Sequence, residues 1–276
     1  MAKLNTVLGA LGGDIIGSIY EYDNILTPHF DPLNENCHYT DDSVLTIATL
    51  ESLLLKESFK NTYLKYGKEF PNEDYGERFS GWLNMDDPQP YYSFGNGAAM
   101  RVSPVACRSG VQHCKTDAQK SAECTHNHPE GINGAVSVAI ACYFSRILEN
   151  KQLIIDGIRL HNTKFNYDLS LTINQLREKQ VFSETCQNAV PIALQAFFEG
   201  NDYLDVVQKA ISVGGDSDTI ACIAGSIAGS YYEEVDDEVA NFILERLPPR
   251  LKVVYEKFEQ TMRWPWEKNL FFYINY

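Results

Sequence analysis

Several things are scarce in this sequence, and each scarcity removes a class of function. Basic residues are outnumbered: 23 Lys and Arg stand against 37 Asp and Glu, a formal net charge of −14. So acidic a chain repels phosphate backbones, which argues against general nucleic-acid binding. One small phosphorylated ligand stays allowed, because local donors or metal ions reverse the field at a site. Closely spaced cysteines are missing. The seven present (Cys37, Cys107, Cys114, Cys124, Cys142, Cys186 and Cys222) are odd in number and no two are spaced C-x-x-C. They read as reduced thiols in a cytoplasmic protein, not as a disulfide framework. Long hydrophobic runs are also missing. The most membrane-like stretch, Ile220 to Gly229, is too short to span a bilayer and is rich in Gly, Ala and Ser. Met1-Ala2-Lys3-Leu4-Asn5 has no cationic segment leading into an apolar one, so no signal peptide is expected.

The composition, 44% hydrophobic and 22% charged, is that of a globular protein. Apolar residues recur at three- and four-residue spacing over 41–57, 131–149, 188–199 and 219–232, which predicts helices there. Few stretches alternate strictly, so few strands are expected. Gly and Pro punctuate the chain near 27–36, 71–76, 86–97, 127–131, 200–202 and 248–249, but no composition break resembles a linker. One all-helical domain over 1–276 is expected.

Three predicted helices carry small residues at four-residue spacing: Gly9, Gly13 and Gly17; Gly131, Ala135 and Ala139; Ala221, Gly225 and Gly229. Such residues share one helix face. A helical glycine costs roughly 1 kcal/mol relative to alanine, so these faces imply a compensating gain. Close helix–helix packing is the simplest one, and it would also bring helix ends together around a site.

Two acidic segments precede apolar helical runs: Thr40-Asp41-Asp42-Ser43 and Gly214-Gly215-Asp216-Ser217-Asp218-Thr219. Each alone reads as a helix start, where Thr, Ser and Asp cap free N–H groups and acids suit the helix dipole. Together they differ, for each has two carboxylates and a threonine, with no Lys or Arg beside it. If the fold joins them, four like charges meet, which is costly without a cation. Oxygen-only Asp and Thr donors suit Mg²⁺ or Mn²⁺ better than zinc. Glu21 adds a carboxylate at the end of the first helix: a surface glutamate, or an acid or base beside the metals.

In family terms, Gly9 through Glu21 resembles the opening helix of the ADP-ribosylglycohydrolase family, and the two acidic segments resemble its two metal motifs. Ser93-Phe94-Gly95-Asn96-Gly97-Ala98-Ala99-Met100-Arg101 resembles the family's glycine-rich ligand loop, and Thr125-His126-Asn127-His128-Pro129 its histidine segment. The segments keep family order over roughly residues 5 to 235. One departure is Ser43, where threonine is common. The aromatic end, Trp264 through Tyr273, matches no family motif and is expected to pack on the body.

The resemblance implies an all-α fold, a compact orthogonal multi-helix bundle. It implies two Mg²⁺ ions, or Mn²⁺, held by Thr40, Asp41, Asp42, Asp216, Asp218 and Thr219, with Glu21 as catalytic acid or base. It implies that Tyr92, Ser93, Phe94, Gly95, Asn96, Gly97, Met100 and His126 contact the ADP-ribose moiety of a modified protein or small molecule. Gly95 and Gly97 would let successive amides nest a pyrophosphate, and Tyr91, Tyr92 and Phe94 would stack on adenine, close over it or simply pack. His128, before Pro129, reads as structural. The reaction implied is hydrolysis of the bond between ADP-ribose and an acceptor such as arginine or serine. The rivals are a non-catalytic ADP-ribose or nucleotide binder, a structural protein, and a two-metal phosphate-ester hydrolase.

Overall fold

The computed structural model describes residues 2–3, 5–179 and 183–262. The aromatic segment Trp264 through Tyr273 lies outside the described residues. In chain order the helices are α1 (Thr6–Gly17), α2 (Asp41–Leu55), α3 (Phe59–Glu69), α4 (Glu77–Leu83), α5 (Gly97–Met100), α6 (Val111–Glu123), α7 (Pro129–Ser145), α8 (Lys151–His161), α9 (Ile173–Lys179), α10 (Cys186–Glu199), α11 (Tyr203–Ile211), α12 (Ser217–Tyr232), α13 (Asp237–Arg246) and α14 (Pro249–Met262). Two-residue strands, Ala2–Lys3 and Glu234–Val235, pair antiparallel. The chain adopts the expected all-α architecture.

The four helices predicted from periodicity are present as α2, α7, α10 and α12, with shifted ends. α2 stops at Leu55, because Lys56 turns left-handed at φ 58°. α7 stops at Ser145, four residues early, because Asn150 starts α8 by accepting the N–H groups of Gln152 and Leu153. A side-chain cap of that kind fixes a helix start and so forces the preceding helix to end. The first helix also ends sooner than its pattern extends. α1 closes at Gly17, tightens into a 3-10 turn at Ser18–Tyr20, and leaves Glu21 just beyond it.

α1 and α12 form the centre. Every residue of α1 is buried, and so is α12 from Ser217 through Ser230. Helices apolar all round belong in an interior. Their small-residue faces meet each other. A Cβ on Gly17 would lie 2.5 Å from the Asp218 Cα, and one on Gly229 would lie 2.5 Å from the Asn5 carbonyl oxygen. One on Gly13 would strike the Ala221 carbonyl, and one on Gly9 that of Gly225. The order of these contacts makes the helices antiparallel and puts their backbones in contact. The third small-residue face serves a loop: Gly131 on α7 admits the Ser93 carbonyl, 2.7 Å from where its Cβ would be. No helix among the described residues is long and apolar enough to cross a membrane.

Two glycines test this account. Gly13→Ala overpacks a backbone contact and is expected to cost about 2 kcal/mol or more. Gly81→Ala in α4, with nothing within 4 Å of its added carbon, is expected to stabilise by up to about 1 kcal/mol. Urea unfolding of both variants checks the pair of signs.

Candidate active site

The antiparallel packing sets the C-terminal end of α1 beside the first turns of α2 and α12. Asp14 of α1 is fully buried. Its carboxylate accepts the Thr40 hydroxyl at 2.6 Å, the Thr40 N–H at 3.1 Å, the Ser43 N–H at 3.1 Å, and the Ser43 hydroxyl. Asp14 thus caps α2 from another helix, beside the local cap in which Thr40 Oγ1 accepts the Asp42 N–H at 3.3 Å. Asp216 makes no such cap at α12. Its Oδ2 instead accepts the Asn96 side-chain amide at 2.6 Å. The Thr219 hydroxyl donates to Asp42 Oδ2 at 3.0 Å, and Asp218 Oδ1 accepts the Thr219 N–H at 2.9 Å.

The fold therefore joins the two acidic segments. Carboxylate oxygens of Asp14, Asp42 and Asp218 lie within 4.8 Å of one another, and so do those of Glu21, Asp216 and Asp218. Asp218 belongs to both trios. Asp41 lines the same cavity, of about 600 Å³, but belongs to neither. The 3-10 turn after α1 carries Glu21 into the second trio. Asp14 is the site residue that motif reading missed; the available signal was a lone acid inside a glycine-rich apolar helix.

Like charge dominates here. Burial, then the neighbouring carboxylates, holds Asp41, Asp42 and Asp218 well above the usual carboxylate range. Burial also raises Asp14, against the four hydrogen bonds that favour its charged form. Glu21, about half-buried, is pushed up to about 7, chiefly by burial, with Asp216, Asp74 and Glu184 adding and a hydrogen bond from Tyr22 opposing. Among the described residues no Lys or Arg pairs with any of these acids. Asp42 Oδ1 is buried without a hydrogen-bond partner. An orphaned carboxylate oxygen, crowded acids and an all-oxygen donor set are what a hard divalent cation completes.

The glycine-rich loop forms the facing wall. It is held to the segment before α10: Asn96 N–H donates to the Glu184 carbonyl at 2.8 Å, and Cys186 N–H to the Phe94 carbonyl at 3.1 Å. Gly95 N–H donates to Ser93 Oγ at 3.1 Å. The amides of Gly95 and Asn96 are thus already engaged, which removes two donors from the expected nest. Ser93, Gly95, Asn96, Gly97, Met100 and His126 line the cavity. His126 Nε2 lies 3.4 Å from where a Cβ on Gly95 or Gly97 would be, so the imidazole packs directly against both glycines. Burial, with Arg101 and Arg78 nearby, keeps His126 neutral, and its Nδ1 meets the Thr125 hydroxyl at 2.7 Å. His128 is structural as expected: its Nδ1 accepts the Glu130 N–H at 3.1 Å and caps α7.

Tyr92 and Phe94 take the packing alternative. They are 58% and 42% exposed and pack edge-on against His128, outside the residues lining the cavity. Tyr92 adopts φ 55°, which turns it out of the wall. Tyr91 does line the cavity, with the Arg78 guanidinium 5.0 Å from its ring centroid. Thr40 lies behind the wall, against Asp14.

A family model for ADP-ribosylglycohydrolase matches residues 4–260. The chain belongs to the ADP-ribosylglycohydrolase family. It is 28% identical over 331 residues to ADP-ribosylhydrolase ARH3 of Mus musculus, covering 92% of this chain and 87% of that one. It is 30% identical over 302 residues to ADP-ribosylhydrolase ARH3 of Homo sapiens, covering 81% and 83%. A solved structure titled "ADP-ribosylglycohydrolase-related protein complex" superposes with TM-score 0.69 at 18% identity, covering 94% of this chain and 98% of that one, and shows the shared fold.

Carboxylates raised in the folded state bind more protons there than in the unfolded chain, so without metal stability falls as pH rises above about 4, the Glu21 contribution being lost through about 7. Added Mn²⁺ should raise the melting temperature most at the alkaline end. Asp218→Asn, which removes the charge common to both trios, should melt above the wild type in EDTA and lose the Mn²⁺ response. Scanning calorimetry with and without Mn²⁺ decides this.

Proposed function

We propose that this chain hydrolyses the glycosidic bond between ADP-ribose and a modified acceptor, using two Mg²⁺ or Mn²⁺ ions. The single observation that carries the reading is the pair of carboxylate trios sharing Asp218. Thr40, Asp41, Asp42, Asp216, Asp218 and Thr219 are the proposed metal residues, and Asp14 joins them through its place in the first trio. When bound, such ions supply Lewis acidity and hold ribose hydroxyls in place. Glu21 is the proposed general acid or base. Burial is the main cause that raises its carboxyl group, which brings proton exchange nearer to neutral pH.

The wall opposite would position the rest of the ligand. Neutral His126 and Asn96 line the cavity together with Gly95 and Gly97. Ser93, Gly95, Gly97 and Met100 would complete the ADP-ribose contact surface. Charge is divided around the cavity: Arg78, beside Tyr91, acts on His126, whereas Asp74 and Glu184 act on Glu21. Diphosphate suits the first group. A cationic acceptor such as arginine suits the second, so arginine-linked substrate is the first to try, ahead of serine-linked and small-molecule conjugates. The rival is a non-catalytic ADP-ribose binder; the full acid set, Glu21 included, speaks against it.

The test is ADP-ribose release from an arginine-ADP-ribosylated protein in Mg²⁺ and again in EDTA. Release is expected in Mg²⁺ alone, and Asp216→Ala should abolish it while the fold survives. Glu21→Gln should lower kcat at least about 100-fold while ADP-ribose still binds by calorimetry. Binding without release from any of the three substrate types would favour the binder.

A further inference from the structure

One amide side chain outside the proposed chemistry connects its two halves. Asn24 lies in the bend after Glu21. Its Nδ2 donates to the carbonyls of Tyr20 at 2.7 Å, Glu21 at 3.0 Å and Gly215 at 3.0 Å, two N–H bonds shared among three acceptors. Its Oδ1 accepts the Gly215 N–H at 2.9 Å. The Tyr20 and Glu21 carbonyls end the 3-10 turn that follows α1, where carbonyls lack helical partners. Capping accounts for those two bonds. It does not account for the reciprocal pair to Gly215, which spans 191 residues.

The receiving turn is shaped for this side chain. Gly214 and Gly215 have φ 80° and 82°, the left-handed region that favours glycine. A Cβ on Gly214 would lie 3.1 Å from Asn24 Oδ1. The gripped peptides are those of Glu21 itself and of Gly215, the residue before Asp216. The carboxylates of Glu21 and Asp216 then converge with that of Asp218 within 4.8 Å.

We infer that Asn24 is a positioning residue for the reaction: it locks the backbone of Glu21 to the turn that delivers Asp216, and so sets the spacing of the second trio. The kinetic part of this inference rests on the hydrolase reading; the geometric part does not. A misplacement of about 1 Å at a reacting group costs on the order of 100-fold in rate. Substrate contacts on the opposite wall, built from 93–97 and His126, are untouched by Asn24.

The experiment compares wild type, Asn24→Ala, Glu21→Gln and the double variant, with Asn24→Ser as a second replacement should the alanine variant fail to fold. Asn24→Ala is expected to lower kcat at least about tenfold, to leave KM and calorimetric ADP-ribose affinity within about twofold, and to add no more than about a twofold loss in the Glu21→Gln background. Mn²⁺ titration followed by electron paramagnetic resonance should show one site weakened about tenfold and the other unchanged. An unchanged kcat with unchanged Mn²⁺ binding overturns the inference. So does an equal loss of kcat in both backgrounds. If the wild type releases no ADP-ribose, the hydrolase reading fails on its own, and the Mn²⁺ titration then decides the role of Asn24.

Discussion

The site depends on backbone contact between α1 and α12. Their approach is closer than any side chain permits: Gly9, Gly13 and Gly17 on one helix face Ala221, Gly225 and Gly229 on the other. The intrinsic cost of helical glycine is offset by the buried contact this allows, because dispersion and desolvation scale with how closely two surfaces meet. The functional consequence is registration. Gly17 rests on the Asp218 Cα, so the end of α1 cannot slide along α12 without a clash. Asp14 and Glu21 inherit that register on one helix end, and Asp216 and Asp218 inherit it on the other.

Registration alone would assemble a repulsive cluster. The fold tolerates it in part because Asp14, Asp42 and Asp216 are held by neutral donors and not by basic side chains. Asp14 takes four donors from the first turn of α2, which suits an anion at a helix N-terminus. Asp216 takes the Asn96 amide, and Asp42 the Thr219 hydroxyl. These neutral donors fix each carboxylate in direction without cancelling its charge. The result is a set of aimed negative oxygens whose remaining valence, seen most plainly at Asp42 Oδ1, is left for a cation. A buried Arg or Lys in the same place would have stabilised the empty protein and blocked that use.

How much of this is legible in the sequence follows from distance along the chain. The acidic segments, the small-residue faces and the all-helical pattern are local, and local periodicity is what sequence displays. The ends of α2 and α7 are less so, since a left-handed Lys56 and a cap at Asn150 decide them. Pairings across 120 residues, as from Asn96 to Asp216, or 191, as from Asn24 to Gly215, leave no local trace. Asp14 was visible as an acid among glycines, yet its trio with Asp42 and Asp218 needs three separate segments. The glycine loop misled in the opposite direction. Its pattern suggests free amides, but the segment before α10 already engages Asn96, and Ser93 engages Gly95.

A division of labour between helices and loops separates the acid cluster from the residues that surround it. The proposed metal and proton-transfer groups sit at the ends of α1, α2 and α12, elements fixed by buried contacts and therefore costly to alter. The residues that surround Glu21 from outside, Asp74 and Glu184, sit on exposed segments before α4 and before α10. Exposed segments accept substitution at little cost in stability. On the proposed hydrolase reading, changing charge there would alter which leaving group is favoured and leave the trios untouched. Asn24 stands between the two regimes: a side chain in an exposed bend whose partners are the backbones of the site itself. That position makes it the point at which a loop change reaches the chemistry.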